Sequence, residues 1–305
     1  MKKLYLWRNF NMESTTVISW MKQWVDTYVK PNLAEKTFES YDIVERMMED
    51  HYPELEEMPL RQMNSLYAQQ ILNGLADQYS KSTLNSLRVI LHESMQAASE
   101  NSALDVQPLG KLRIPENAAV KEVRALTRIE QAEVEEAAQH VLLGHITLFF
   151  LNTGLRSEEF CNLNWQDYNP KTRMIFIRES KSPAGVRHVP LNKEAQRILL
   201  TQKRLKTDNA IFHSSRGGRV TKSVLTKLYK RLRKATGIEC ITTHVYRHTF
   251  ATRALEDGMN VKALSQILGH KDVAFTMQRY CSPDVKFLRE QVDLLDHIRE
   301  SRNNE

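Results

Sequence analysis

The segment "THVYRHTFATRAL", residues 243–255, sets His244, Arg247 and His248 within five positions of one another. Side chains three and four apart share a helix face, so all three can converge. Two chemistries compete for them: two histidines can hold a metal ion, or a histidine and an arginine can grip an anion. The metal reading needs a glutamate directly after the first histidine, to act as general base beside the ion. Val245 stands there, and no third ligand follows at matching spacing. His248 then reads as a helix-packing histidine, and Phe250, Ala251, Ala254 and Leu255 as core. The anion grip gains from its surroundings. "NTGLRSEEFCNLNW" (152–165) puts Arg156 just before a helix start, and "ILGHKDVAFTMQRY" (267–280) puts His270 on a glycine turn with a tyrosine ten residues later. Val273, Met277 and Tyr280 are spaced as one helix face, so the tyrosine rides on a helix held by its apolar side.

These residues need elements to position them. A chain of 305 residues with 41% hydrophobic and 26% charged residues is globular in composition and long enough for two domains. No run approaches 18 apolar residues, and "MKKLYLWRNF" has neither an apolar core nor a cleavage site, so no membrane span or secretory signal is expected. Cys161, Cys240 and Cys281 are odd in number and far apart, which argues against a disulfide framework and for the reducing cytoplasm. Helical periodicity covers about 14–30, 35–50, 60–78 and 80–100, then 127–139 and 141–152. Around the turn "KSPAG" the period changes: "MIFI" and "VRHVPL" read as short strands. Helices resume at about 193–206, 220–235, 244–257, 260–268, 272–280 and 284–300. The expected fold is mainly α in two domains: a tail at 1–12, an all-helical domain at 13–106, a Pro- and Gly-containing linker at 107–122, and a helical domain with a small antiparallel sheet at 123–305.

Charge is unevenly placed. Residues 1–122 carry 13 Lys/Arg and 17 Asp/Glu, whereas 178–234 alone carries 16 basic and 3 acidic residues. A positive concentration spread over several elements points to a polyanionic partner, most simply nucleic acid.

With Arg156, His244, Arg247, His270 and Tyr280 in this order, and a lysine on the hairpin "ESKSPAGVRHVPL", the chain resembles the tyrosine recombinase, or phage-type integrase, family. The resemblance covers nearly the whole length. It implies an N-terminal helical core-binding (SAM-like) domain, a catalytic domain after it, and transesterification at a DNA phosphodiester. By that resemblance Tyr280 is the nucleophile. Arg156 and Arg247 meet the non-bridging oxygens with fixed, always-protonated forks, His244 and His270 donate to the phosphate, and Lys181 protonates the leaving 5′-oxygen. Glu159 supports the site, and Lys81, Arg88 and Arg187 are expected on DNA. A salt bridge with Glu159 is the structural alternative for Arg156, a solvated turn lysine the one for Lys181. Cys281 lacks the flanking histidine that would make it a nucleophile.

No metal or nucleotide cofactor is implied, because phosphotyrosyl exchange conserves bond energy. The expected partners are double-stranded recombination sites and three further copies of the chain in a tetramer on two sites, with an excision or DNA-bending factor compatible with both. Residues 284–300 are expected to form the assembly helix. Integration or excision of a mobile element is the favoured reading. A Xer-like resolvase or a DNA invertase would share the chemistry, and a catalytically silent DNA-binding regulator would keep the basic surface without needing Tyr280.

Overall fold

The structure is a computed structural model that describes residues 15–32, 35–101, 106–120, 123–178, 183–204 and 208–280, with 289 and 292 besides. The fold is mainly α with one small antiparallel sheet. Two compact units divide the chain, 1–122 and 123–305. Among the described residues no helix is long and apolar enough to cross a membrane.

In the first unit, α1 (Val17–Trp24), α2 (Glu35–His51), α3 (Ser65–Gly74) and α4 (Lys81–Asn101) enclose one apolar core. Trp20 and Trp24 recur at helical spacing and are both buried, and the indole nitrogen of Trp20 donates to the carbonyl of Ser94 at 2.7 Å. A buried indole needs such a partner, because its N–H would otherwise lose its bond to water unreplaced. The single helix expected over 14–30 keeps α geometry only to Trp24 and continues as a π turn, Val25–Val29. The helix expected at 60–78 is shorter than its periodicity. Asn64 takes an extended conformation and accepts from Tyr67 N at 3.0 Å, so a new helix starts there and a short 3-10 turn, Leu60–Gln62, precedes it.

The stretch expected as a linker differs more. Val106, Leu109, Leu112 and Ala118 are buried in the first unit's core. The prolines and the glycine prevent a helix, yet side chains supply partners for the irregular backbone. Ser65 Oγ accepts from Gly110 N at 2.7 Å, and the Gln69 amide both donates to and accepts from the Arg113 backbone at 2.8 Å. Backbone groups satisfied in this way allow a non-helical segment to be buried.

The second unit packs α5 (Arg128–His140), α6 (His145–Thr153), α7 (Ser157–Cys161), α8 (Lys193–Arg204), α9 (Lys222–Thr236), α10 (Thr243–Glu256), α11 (Val261–Leu268) and α12 (Val273–Tyr280) with strands β1 (Tyr168–Asn169), β2 (Met174–Ile177) and β3 (Arg187–Pro190). The strands pair antiparallel in the order β1-β2-β3, with Ile175 opposite Val189 and Ile177 opposite Arg187. Phe149, Phe150, Phe160 and Phe212 form an aromatic cluster, with rings 4.5 Å apart for Phe150–Phe160 and for Phe160–Phe212. This cluster fixes α6 and α7, which flank Arg156. Gly154 ends α6 in the left-handed region at φ 62°, and a Cβ there would lie 2.5 Å from the Phe250 ring. No other residue fits that close approach without displacing α10.

Candidate active site

Arg156 has an extended backbone and sets the start of α7, where Glu159 Oε2 accepts from its backbone N at 2.9 Å. Its guanidinium donates to Glu159 Oε1 at 2.7 Å and to the Gly269 carbonyl at 3.2 Å. The salt bridge weighed as an alternative for Arg156 is therefore present, and so is a second contact at the end of α11.

Arg247 is buried one turn into α10, after the Thr242 hydroxyl caps that helix by accepting from Val245 N at 3.2 Å. It donates to the carbonyls of Gly154 at 2.9 Å and Leu268 at 2.6 Å, and its Nη2 lies 2.9 Å from Nε2 of His270. His270 follows Gly269, which ends α11 in the left-handed region at φ 66°, and its Nδ1 lies 2.7 Å from Thr276 Oγ1 on α12. The structure thus brings Arg156, Arg247 and His270 together. His244 shares α10 with Arg247, three residues earlier, and is exposed, while His248 is buried as expected of a packing residue. Tyr280 closes α12. Its side chain lies outside the described residues, as does all of Lys181.

Arg187 is a correction. Expected on DNA, it is instead buried, with a side-chain exposure of 7%. Its two terminal nitrogens donate to Glu159 at 2.9 and 3.0 Å, and its Nε donates to the Ile267 carbonyl at 2.6 Å. A guanidinium enclosed in this way cannot reach a phosphate backbone. The signal was available in the strand's parity: Arg187 and Val189 share the inward face, and Val186 and His188 point out.

Three arginines from three separate segments therefore hold three consecutive carbonyls: Arg187 on Ile267, Arg247 on Leu268 and Arg156 on Gly269. These are end-of-helix acceptors with no intrahelical partner, and the helix dipole favours cations there. A Cβ on Gly269 would lie 2.9 Å from Arg187 Cδ and 3.1 Å from the Ala184 carbonyl, so a side chain at this turn would crowd both. Glu159 supplies the countercharge. Its burial alone would raise the carboxyl pKa, but hydrogen bonds and charge from Arg187, then Arg156, hold it at about 2.

The basic surface is most regular on α9. Leu225, Leu228, Tyr229 and Leu232 are buried, whereas Lys227, Lys230, Arg231 and Lys234 recur at helical spacing on the exposed side. In the first unit, Lys81 and Arg88 lie seven residues apart on α4, one face of the helix, both half-buried, and Arg88 holds Asn85 Oδ1 at 3.1 Å. Among the described residues no three His, Cys, Asp or Glu side chains cluster as a metal site.

The phage integrase family model matches residues 118–286, more than half of the chain and every residue of the cluster. The chain belongs to the phage integrase family. Among curated relatives, tyrosine recombinase XerA of Pyrococcus horikoshii is 29% identical over 179 residues, 56% of this chain and 60% of that protein. The chain spans about half to three fifths of the length of the first such relatives. Two solved structures share the fold. A Tn1549 transposon integrase in complex with a circular intermediate DNA superposes with a TM-score of 0.77 at 20% identity, covering 92% of this chain and all of that one. A lambda integrase tetramer bound to a Holliday junction gives 0.70 at 20% identity, covering 87% and 77%.

Proposed function

We propose that this chain is a site-specific DNA recombinase that cuts and rejoins strands through a 3′-phosphotyrosyl intermediate. The observation that carries the reading is the convergence of Arg156, Arg247 and His270 at the end of α11, with the next helix ending at Tyr280. In the proposed reaction the Tyr280 phenol gives its proton to one of the site histidines, His244 or His270, its oxygen bonds to phosphorus and the P–O5′ bond breaks. Arg156 and Arg247 stabilise charge on the non-bridging oxygens, which is usually the largest catalytic contribution, and His244 and His270 hydrogen-bond the same phosphate. A phenol with a pKa of about 10 becomes a useful nucleophile only where cations stabilise its anion. Lys181 is the proposed acid for the 5′-oxygen.

DNA is the partner that the α9 stripe supports, with Lys81 and Arg88 the proposed contacts from the first unit. Assembly of four copies on two sites, through the segment after Tyr280, is a further part of the proposal, in keeping with the lambda integrase tetramer on a Holliday junction. Integration or excision of a mobile element is favoured by the likeness to the transposon integrase, and a Xer-type resolution reaction by the XerA relatives.

A nicked suicide substrate carrying candidate sites tests the chemistry. Wild-type protein gives a DNA-linked band on a denaturing gel, and Tyr280→Phe gives none. An adduct that persists in the phenylalanine variant overturns the nucleophile assignment.

A further inference from the structure

Thr276 is completely buried on α12, and its Oγ1 lies 2.7 Å from Nδ1 of His270. The other ring nitrogen, Nε2, lies 2.9 Å from Nη2 of Arg247. A guanidinium has only donors to offer and does not give up its charge in a protein. In this contact, then, Nε2 accepts and carries no hydrogen. The ring is the neutral tautomer with its proton on Nδ1, and that proton is donated to the Thr276 hydroxyl.

We propose that Thr276 is a positioning residue for strand cleavage, acting through His270. Its hydroxyl fixes the imidazole plane and satisfies Nδ1, so that Nε2 is the atom presented to Arg247 and to the phosphate. The inference rests on the recombinase reading above. A hydroxyl suits the position because it both donates and accepts. It pairs with Nδ1 when that nitrogen carries the proton, as in the free protein, and reverses its part only when a bound phosphate oxygen draws the proton to Nε2. A carboxylate in its place would only accept and would favour the doubly protonated ring. A methyl group would remove this hydrogen bond from the ring. Thr276 also stands one helical turn before Tyr280, at i and i+4, so a single turn of α12 ties the histidine's orientation to the nucleophile's position.

Two substitutions separate the hydroxyl from the packing around it. Thr276→Val keeps the shape and removes the hydroxyl, while Thr276→Ser keeps the hydroxyl and removes a methyl. The expected result in single-turnover cleavage of a suicide substrate is a loss of roughly tenfold or more for valine and near wild-type rates for serine. Affinity for an uncleaved site should be unchanged in both. Nitrogen-15 spectra of the wild-type imidazole without DNA should show a protonated Nδ1 and a bare Nε2. A valine variant that cleaves at the wild-type rate, a serine variant as slow as valine, or a wild-type ring protonated on Nε2 would each overturn the role. If valine prevents folding, the wild-type spectrum and the serine rate still decide. Failure of the recombinase reading looks different, since then the wild type itself gives no Tyr280-dependent adduct, and the role given to Thr276 falls with it.

Discussion

The two units handle polarity differently. Among the described residues, the first unit buries Thr15 and Ser94 as its polar side chains, around a core of Trp, Met and Leu. The second buries Glu159, Asp167, Arg187 and Arg247 along with His248 and several threonines. Burying charge costs free energy that apolar packing does not, and a buried ion pair is weak evidence for stability. Four such groups in one unit, three of them around the end of α11, are better explained by the need to hold cationic groups in fixed geometry. Electrostatic stabilisation of a reacting phosphate requires groups that do not have to reorganise. In the second unit, packing and the proposed chemistry use the same residues; in the first, the core is free of that demand.

Removing one partner of the buried set should have the largest effect. Arg187→Ala leaves Glu159 without its main cation, and urea titration of the full chain should show a loss of about 3–5 kcal/mol assigned to the second unit. A loss below about 1 kcal/mol would mean that the pair contributes little and would erase the contrast. The counterpart in the first unit is Leu87→Ala. Its fully buried side chain leaves a cavity worth about 2–5 kcal/mol, and this loss should be the same at pH 3 and pH 7.

Acid sensitivity sharpens the contrast further. Glu159 has its carboxyl held down at about 2 in the folded chain. A depressed carboxyl contributes stability above its unfolded pKa of about 4.3, and that contribution fades as pH falls towards the folded value. Glu159→Gln should therefore cost about 1.5–3 kcal/mol at pH 7, with the gap to wild type narrowing between about pH 4 and pH 2. A gap that is constant across that window would show that the carboxylate charge is not what Arg187 and Arg156 require.

The smallest stability effect belongs to the exposed cations. Lys227→Ala and Lys230→Ala on α9 should change stability by no more than about 0.5 kcal/mol. Each should lower the slope of log affinity for DNA against log salt by about one. An unchanged slope would remove α9 from the DNA surface and return the basic stripe to a solvated face.

Much of this was legible from residues alone, because the relevant signals are local. Helical spacing located α1, α4, α9, α10 and α12 to within a few residues, and the change of period announced the strands. Gly154 and Gly269 mark the two turns that only tertiary contacts make obligatory, since the atoms that exclude a Cβ come from Phe250 and Arg187. The break before α3 was written in Asn64, a capping residue that periodicity does not register. The segment 107–122 looked like a linker because its composition forbids a helix, but composition does not say whether an irregular segment finds side-chain partners.

By itself the sequence determined the family, the order and spacing of Arg156, Arg247, His270 and Tyr280, and the sign of the surface along α9. Tertiary structure decided which cations serve the interior. Arg187 looks no different from its basic neighbours in the chain, yet its partners are Glu159, 28 residues away, and Ile267, 80 residues away. Whether a guanidinium meets water or a buried carboxylate depends on elements distant in sequence. No local period encodes that distance, so only the packed fold distinguishes an arginine that braces the site from one that faces solvent.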